Sequence, residues 1–234
     1  MRYDIALIDV DDTLLDFAAA EHEALRGAFA QCGVPFDDSA ARRYHEINDA
    51  LWKRLEKGEI DRQGLWRERF AQLFCELGKQ APPDINEKYM AVLGQQAFPM
   101  AGAQRMLQSA VKMARLFIVT NGVRPVQQLR LEKAGLSGFF EGVFASQELG
   151  AQKPSAEFFE RAFAKIGPFD RKRAVLLGDS LTSDMKGART AGVAACWYCP
   201  DSQKPDTDGA YDYRISRLEQ FISVLRGDEL EPRA

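Results

Sequence analysis

The sequence predicts an α/β protein, a parallel sheet with a helical domain inserted after its first strand. Three observations lead to this. Short apolar runs recur at Ile5 to Ile8, Leu116 to Val119, Val143 to Ala145, Ala174 to Leu177 and Val193 to Trp197, with helical patterns between them. That rhythm is the one strand–helix–strand units impose. The helical stretches carry their own start and stop signals. The connection after the first run is far longer than a crossover helix needs, so something else is folded there.

Taken in order, Ile5 to Ile8 forms the first strand and ends at Asp9. From about Phe17 to Phe98 the apolar positions follow helical spacing. They fall at Leu25, Phe29 and Cys32, at Tyr44, Ile47, Leu51 and Leu55, and at Leu65, Phe70, Leu73, Phe74 and Leu77. Gly33-Val34-Pro35, Gly58 and Ala81-Pro82-Pro83 punctuate them, which predicts a bundle of about four helices. After the second strand, Pro125 stands at a first helical position and Gly135 closes that helix. Ser155 caps the helix beginning Ala156-Glu157-Phe158-Phe159, and Gly167 and Gly192 stand at later helix ends.

Composition excludes several classes of function. The 234 residues are 46% apolar and 28% charged, as in an ordinary globular protein. The net charge of -3, without a long basic run, argues against a nucleic-acid polymer as partner. No apolar run approaches a membrane span, and the apolar stretch after Met1-Arg2-Tyr3-Asp4 is too short for a signal sequence, so a cytoplasmic protein without a membrane partner is expected. Of the four cysteines only Cys196 and Cys199 are close in sequence, and the flanking Val193-Ala194-Ala195 and aromatics read them as part of a buried strand. His22 and His45 are too few for a zinc site.

Ligands of parallel sheets bind outside the carboxyl ends of the strands, so the residues that terminate the apolar runs carry the chemistry. The first strand ends Ile8-Asp9-Val10-Asp11-Asp12-Thr13, the second Val119-Thr120-Asn121-Gly122, and the fourth Leu177-Gly178-Asp179-Ser180, with Asp184 five residues beyond Asp179. Lys153 follows the third strand. Carboxylates converging from separate strands repel one another unless a hard cation neutralises them, and an all-oxygen ligand set suits Mg2+. A carboxylate is also a usable nucleophile toward phosphorus, which makes Asp9 the candidate nucleophile and Asp11, two residues on, the candidate acid and base. Thr120 with the N–H groups of Asn121 and Gly122, and the point charge of Lys153, offer contacts to a phosphoryl group.

In these four segments the sequence resembles the haloacid dehalogenase-like hydrolase superfamily, matched by Asp9-Val10-Asp11-Asp12-Thr13, Thr120-Asn121-Gly122, Lys153-Pro154 and Gly178-Asp179-Ser180 through Asp184. The resemblance implies a Rossmann-like core of residues 1–16 and 98–234 with strand order 5-4-1-2-3, and a helical cap of residues 17–97. It implies a magnesium-dependent phosphomonoester hydrolase that forms an aspartyl-phosphate. Asp9 would be nucleophile and metal ligand, Asp11 acid/base and a metal ligand through its main-chain carbonyl, Asp179 a further metal ligand and Asp184 its support. Thr120, Asn121 and Lys153 would bind the phosphoryl group. Asp11 disfavours dehalogenation, because the dehalogenases of the superfamily lack an acid at that position.

Outside the motifs, Asn48 to Trp52, Gly58-Glu59-Ile60, Gln127-Gln128-Leu129-Arg130-Leu131-Glu132 and Cys196-Trp197 look like the YjjG-type pyrimidine 5'-nucleotidases. This implies a nucleoside 5'-monophosphate as substrate, with pyrimidines preferred. Asn48 and Trp52 lie four apart on one helical face and are the candidate specificity residues. Two alternatives stay open: a phosphatase for a sugar phosphate or other small phosphate ester, and a noncatalytic binding protein on the same fold. The junctions near Leu14 to Phe17 and Phe98 to Gly102 are the expected hinges of a moving cap.

Overall fold

A computed structural model of the chain describes residues 1–201 and 209–228. In chain order its first elements are strand β1 (Ile5–Ile8) and helices α1 (Phe17–Gln31), α2 (Asp38–Glu56), α3 (Arg62–Glu76), α4 (Ile85–Leu93) and α5 (Ala103–Ala110). Next come β2 (Arg115–Thr120), α6 (Arg124–Lys133), β3 (Gly142–Ala145), α7 (Ser146–Leu149), α8 (Ala156–Ile166) and β4 (Ala174–Gly178). The last are α9 (Lys186–Ala191), β5 (Ala194–Tyr198), β6 (Tyr213–Ile215) and α10 (Phe221–Arg226). Two compact units result, one of Met1–Asp16 with the described residues from Phe98 onward, the other of Phe17–Ala97.

In the first unit all strands are parallel and stand in the order β3-β2-β1-β4-β5-β6. The order inferred for five strands is therefore observed, with a sixth strand added at the β5 edge. β1 is central because both of its neighbours start level with it: Ile5 pairs with Arg115 of β2 and with Ala174 of β4. Its side chains alternate between two cores, as the twofold period of a strand requires. Ala6 and Ile8 join Leu116, Ile118, Val175 and Leu177 beneath α5 and α10. Ile5 and Leu7 join Phe117, Val119 and Leu176 against Phe158 and Phe159 of α8 and Ala188 of α9. Burial on both faces is why the run is continuously apolar.

The second unit is a four-helix bundle, the helical cap of this fold. Asp37 and Asp61 cap α2 and α3, their carboxylates accepting from Ala40 N–H at 2.8 Å and Gly64 N–H at 2.7 Å. Tyr44, Phe70 and Tyr89 pack ring against ring at its centre, with centroids 4.9 to 5.6 Å apart. Within the first unit, the segments flanking this insertion run side by side: Asp16 N–H donates to the Phe98 carbonyl at 2.8 Å, and Leu15 bridges Pro99.

Cys196 lies in β5 and Cys199 just beyond it; both are buried free thiols, on opposite faces of the sheet. Among the described residues no helix is long and apolar enough to cross a membrane. The central strand carries the sheet, so Leu7→Ala, at a fully buried position, is expected to destabilise the protein by about 2–5 kcal/mol in chemical denaturation.

Candidate active site

Asp9 is the first residue past β1, and its N–H still bonds the Leu177 carbonyl of β4 at 2.9 Å. The main chain then turns sharply. Leu14 and Leu15 N–H both return to the Val10 carbonyl, and Asp12 takes a left-handed φ of 56° within the turn. This leaves Asp9 at the sheet's carboxyl edge with only 7% of its surface exposed.

Lys153 reaches the same place from the loop between α7 and α8, and it is 1% exposed. Its ammonium uses three donors, to Asp9 Oδ1 at 2.6 Å, Asp184 Oδ1 at 2.6 Å and the Val119 carbonyl at 3.0 Å. The loop is held by Asn121, whose Oδ1 accepts from Lys153 N–H at 2.9 Å and whose Nδ2 donates to the Lys153 carbonyl at 3.1 Å. The Asn121 side chain is thus given over to placing Lys153. Any contact from Asn121 to an anion has to come from its main chain.

Asp184 is buried in a π-helical turn, Leu181–Met185, and its Oδ2 accepts from Ser180 N–H at 3.1 Å. A Cβ on Gly178 would stand 2.3 Å from that oxygen, so only glycine lets the carboxylate in. Asp179 is half-buried; its carbonyl accepts from Trp197 Nε1 at 2.7 Å, and its Oδ1 receives the Thr13 hydroxyl at 3.4 Å. Carboxylate oxygens of Asp9, Asp179 and Asp184 all lie within 4.8 Å of one another.

The charges in this cluster do not balance. Three carboxylates face one ammonium. Burial is the main reason Asp9 is pushed up to about 8; Lys153 opposes it, and Asp184 and Asp11 add to it. Burial, then Asp184 and Asp9, hold Asp179 well above the usual carboxylate range. Burial pulls the Lys153 ammonium toward deprotonation, but Asp184 and Asp9 outweigh it and keep its pKa above the ordinary lysine value. An all-oxygen donor set with two uncompensated negative charges fits a hard divalent cation such as Mg2+. Asp9, Asp179 and Asp184 are the side chains that can hold it. The Asp11 side chain lies outside this cluster, so a ligand from Asp11 has to be its carbonyl.

Thr120 ends β2 and is buried. Its Oγ1 accepts from Gly122 N–H at 2.9 Å and from Gln127 Nε2 at 3.2 Å, which leaves the hydroxyl proton to be donated, as an anion site needs. Asp11 is held by two residues of α6, both within the stretch Gln127 to Glu132 noted above for its family likeness but given no role there. Gln127 Nε2 donates to its Oδ2 at 2.6 Å, and the Arg130 guanidinium to its Oδ1. The polar stretch of α6 reads as a solvated helix face, and no signal in the sequence marks these two side chains as buried.

The cap candidates lie in the second unit. Asn48 is buried and donates through Nδ2 to Glu21 Oε1 at 2.8 Å, while Glu21 Oε2 pairs with His45 Nδ1 at 2.7 Å. The Asn48 carbonyl oxygen has no hydrogen-bond partner among the described residues. Trp52, one turn on, is half-buried, with the Arg62 guanidinium 5.7 Å from its ring centre. Glu21, buried as a carboxylate on α1, is a further residue that the apolar periodicity does not reveal.

Comparison with known proteins adds four findings. The family model of the haloacid dehalogenase-like hydrolases matches residues 3–192. Pyrimidine 5'-nucleotidase PynA of Streptococcus pneumoniae is 34% identical over 233 residues, 99% of this chain and 98% of its own. Pyrimidine 5'-nucleotidase YjjG of Escherichia coli is 29% identical over 225 residues, 96% and 99% of the two chains. The crystal structure of the HAD-hydrolase YfnB of Bacillus subtilis, bound to magnesium, covers 96% of this chain and 99% of its own with a TM-score of 0.90 and 36% identity. That structure is described as revealing interdomain movement.

Magnesium is expected to raise the unfolding temperature, with about 2.7 kcal/mol of stabilisation at a hundredfold excess over its dissociation constant. Asp179→Asn should remove most of that shift in a thermal melt. A full shift in the variant would strike Asp179 from the ligand set.

Proposed function

The chain belongs to the haloacid dehalogenase-like hydrolase family, and we propose that it is a magnesium-dependent phosphomonoester hydrolase working through an aspartyl-phosphate on Asp9, with nucleoside 5'-monophosphates, pyrimidines preferred, as substrates. The observation that carries this reading is the hydrogen-bonded set Asp9–Lys153–Asp184 with Asp179 beside it. It supplies a buried carboxylate in fixed orientation, a buried positive charge and a place for a divalent cation.

When bound, magnesium would neutralise the carboxylates and draw charge from the phosphoryl oxygens. The chain's own residues account for the rest. An Asp9 carboxylate oxygen attacks phosphorus as the ester P–O bond breaks, and protonated Asp11 gives its proton to the departing alkoxide. In the second step water attacks the same phosphorus, Asp11 takes the water's proton, and the bond to Asp9 breaks to release inorganic phosphate. Lys153 holds the Asp9 carboxylate in orientation and offsets charge on the transferring group, and the Thr120 hydroxyl donates to a phosphoryl oxygen.

The substrate class is supported by the relatives PynA and YjjG, whose names state pyrimidine 5'-nucleotidase activity and whose likeness spans nearly the whole chain, cap included. Recognition of the base we assign to Asn48 and Trp52. Asn48 offers a buried acceptor without a partner among the described residues, which suits a ring N–H of a pyrimidine, and Trp52 offers an aromatic face. The test is magnesium-dependent phosphate release from dUMP, dTMP, UMP, purine monophosphates and sugar phosphates at equal concentration. Pyrimidine monophosphates should lead the panel; preference for sugar phosphates would discard the nucleotide reading and keep the mechanism. Asp9→Asn should fold normally by circular dichroism and release no phosphate, and full activity in it would remove the nucleophile.

A further inference from the structure

Gln127 and Arg130 stand three residues apart in α6, so they share one face of the helix. Each is 1% exposed. Their polar ends meet: the Arg130 guanidinium donates to Gln127 Oε1 at 3.0 Å, and both donate to Asp11, one to each carboxylate oxygen. Gln127 Nε2 has a second acceptor, Thr120 Oγ1 at 3.2 Å. The arrangement fixes which end of the amide is nitrogen, because Nε2 faces two acceptors and Oε1 faces a guanidinium. Space for it is made by Gly122, where a Cβ would stand 2.4 Å from Gln127 Nε2.

Burying a guanidinium costs several kcal/mol, and an apolar side chain of similar volume would often stabilise a core more. An ion pair that served stability alone would need only some carboxylate. Arg130 pairs with the one that follows Asp9 by two residues, and Gln127 links that carboxylate to the hydroxyl at the end of β2. Each carboxylate oxygen of Asp11 thus has a donor from a different buried side chain, and the orientation of the carboxylate is set from two directions.

We propose that Gln127 and Arg130 are positioning residues for the acid/base step: Arg130 holds Asp11 through Oδ1 and Gln127 through Oδ2, so that the carboxylate keeps a single orientation. This rests on the phosphatase reading above. Neither residue touches the reacting atoms, so each acts through Asp11.

The test compares a nucleoside monophosphate, UMP, whose alkoxide leaving group needs a proton, with p-nitrophenyl phosphate, whose phenolate leaves without one. First-turnover release of uridine or nitrophenol is measured for the wild type, Gln127→Met, Arg130→Met and Arg130→Lys, with KM from the steady state. The methionine variants should slow UMP by about 10- to 100-fold at little changed KM, within the usual reach of general acid catalysis. Their loss on p-nitrophenyl phosphate should be about tenfold smaller, and Arg130→Lys should recover part of the UMP rate. In an Asp11→Asn background, Gln127→Met should add no further loss on UMP. Equal losses on both esters, a change in KM alone, or full additivity with Asp11→Asn would overturn the assignment while leaving the phosphatase reading intact. A wild type that turns over neither ester overturns that reading and this inference together. Should Arg130→Met fail to fold, Gln127→Met alone decides the point.

Discussion

A lysine ammonium with 1% of its residue exposed must find acceptors within the protein, and Lys153 finds them on three separate pieces of chain. Asp9 continues β1, the Val119 carbonyl belongs to β2, and Asp184 sits in the turn after β4. One cation therefore draws together the ends of three adjacent strands. Removing it would leave Asp9 and Asp184 facing each other across a buried space, the costly half of a broken ion pair. The structure around it serves this contact. Asn121 uses both ends of its amide to hold the Lys153 main chain, and Ser146 fixes Asn121 in turn by donating to its carbonyl at 3.2 Å.

Close approach is the second constraint, and it explains two glycines by what they exclude. At Gly178 a side chain would displace the Asp184 carboxylate, and at Gly122 it would displace the Gln127 amide. Both glycines follow from polar groups being packed as tightly as core atoms. Flexibility is not what they supply: neither has a positive φ. The glycine of each strand-end motif therefore makes room for a polar group, the Asp184 carboxylate at Gly178 and the Gln127 amide at Gly122.

What the sequence made legible follows from the same physics. Five strands could be read because burial on both faces makes each a short unbroken apolar run, and the strand-end residues could be read because parallel sheets gather those ends. β6 escaped because Tyr-Arg-Ile is short and, at the sheet edge, only partly buried, so it lacks the pattern of the inner strands. The extra partners of the site escaped for a different reason. Gln127, Arg130 and Glu21 are polar residues on helices, where periodicity places them in solvent, and only the three-dimensional meeting of Arg130 with Asp11, or of Glu21 with His45 and Asn48, reveals them as buried. Asn121 was read for its main-chain N–H; that its side chain holds a loop thirty-two residues away is visible only in three dimensions.

The charge imbalance connects structure to reactivity. Were the cluster neutral by itself, with two further buried cations beside Lys153, all three carboxylates would be tied up in ion pairs. With a single lysine the carboxylates over-fill the site, and burial pushes Asp9 up to about 8. A divalent cation held by Asp9, Asp179 and Asp184 would bring the missing two charges and so favour the ionised form of Asp9. Asp11 stands outside that set of carboxylates, its two oxygens held by Gln127 and Arg130.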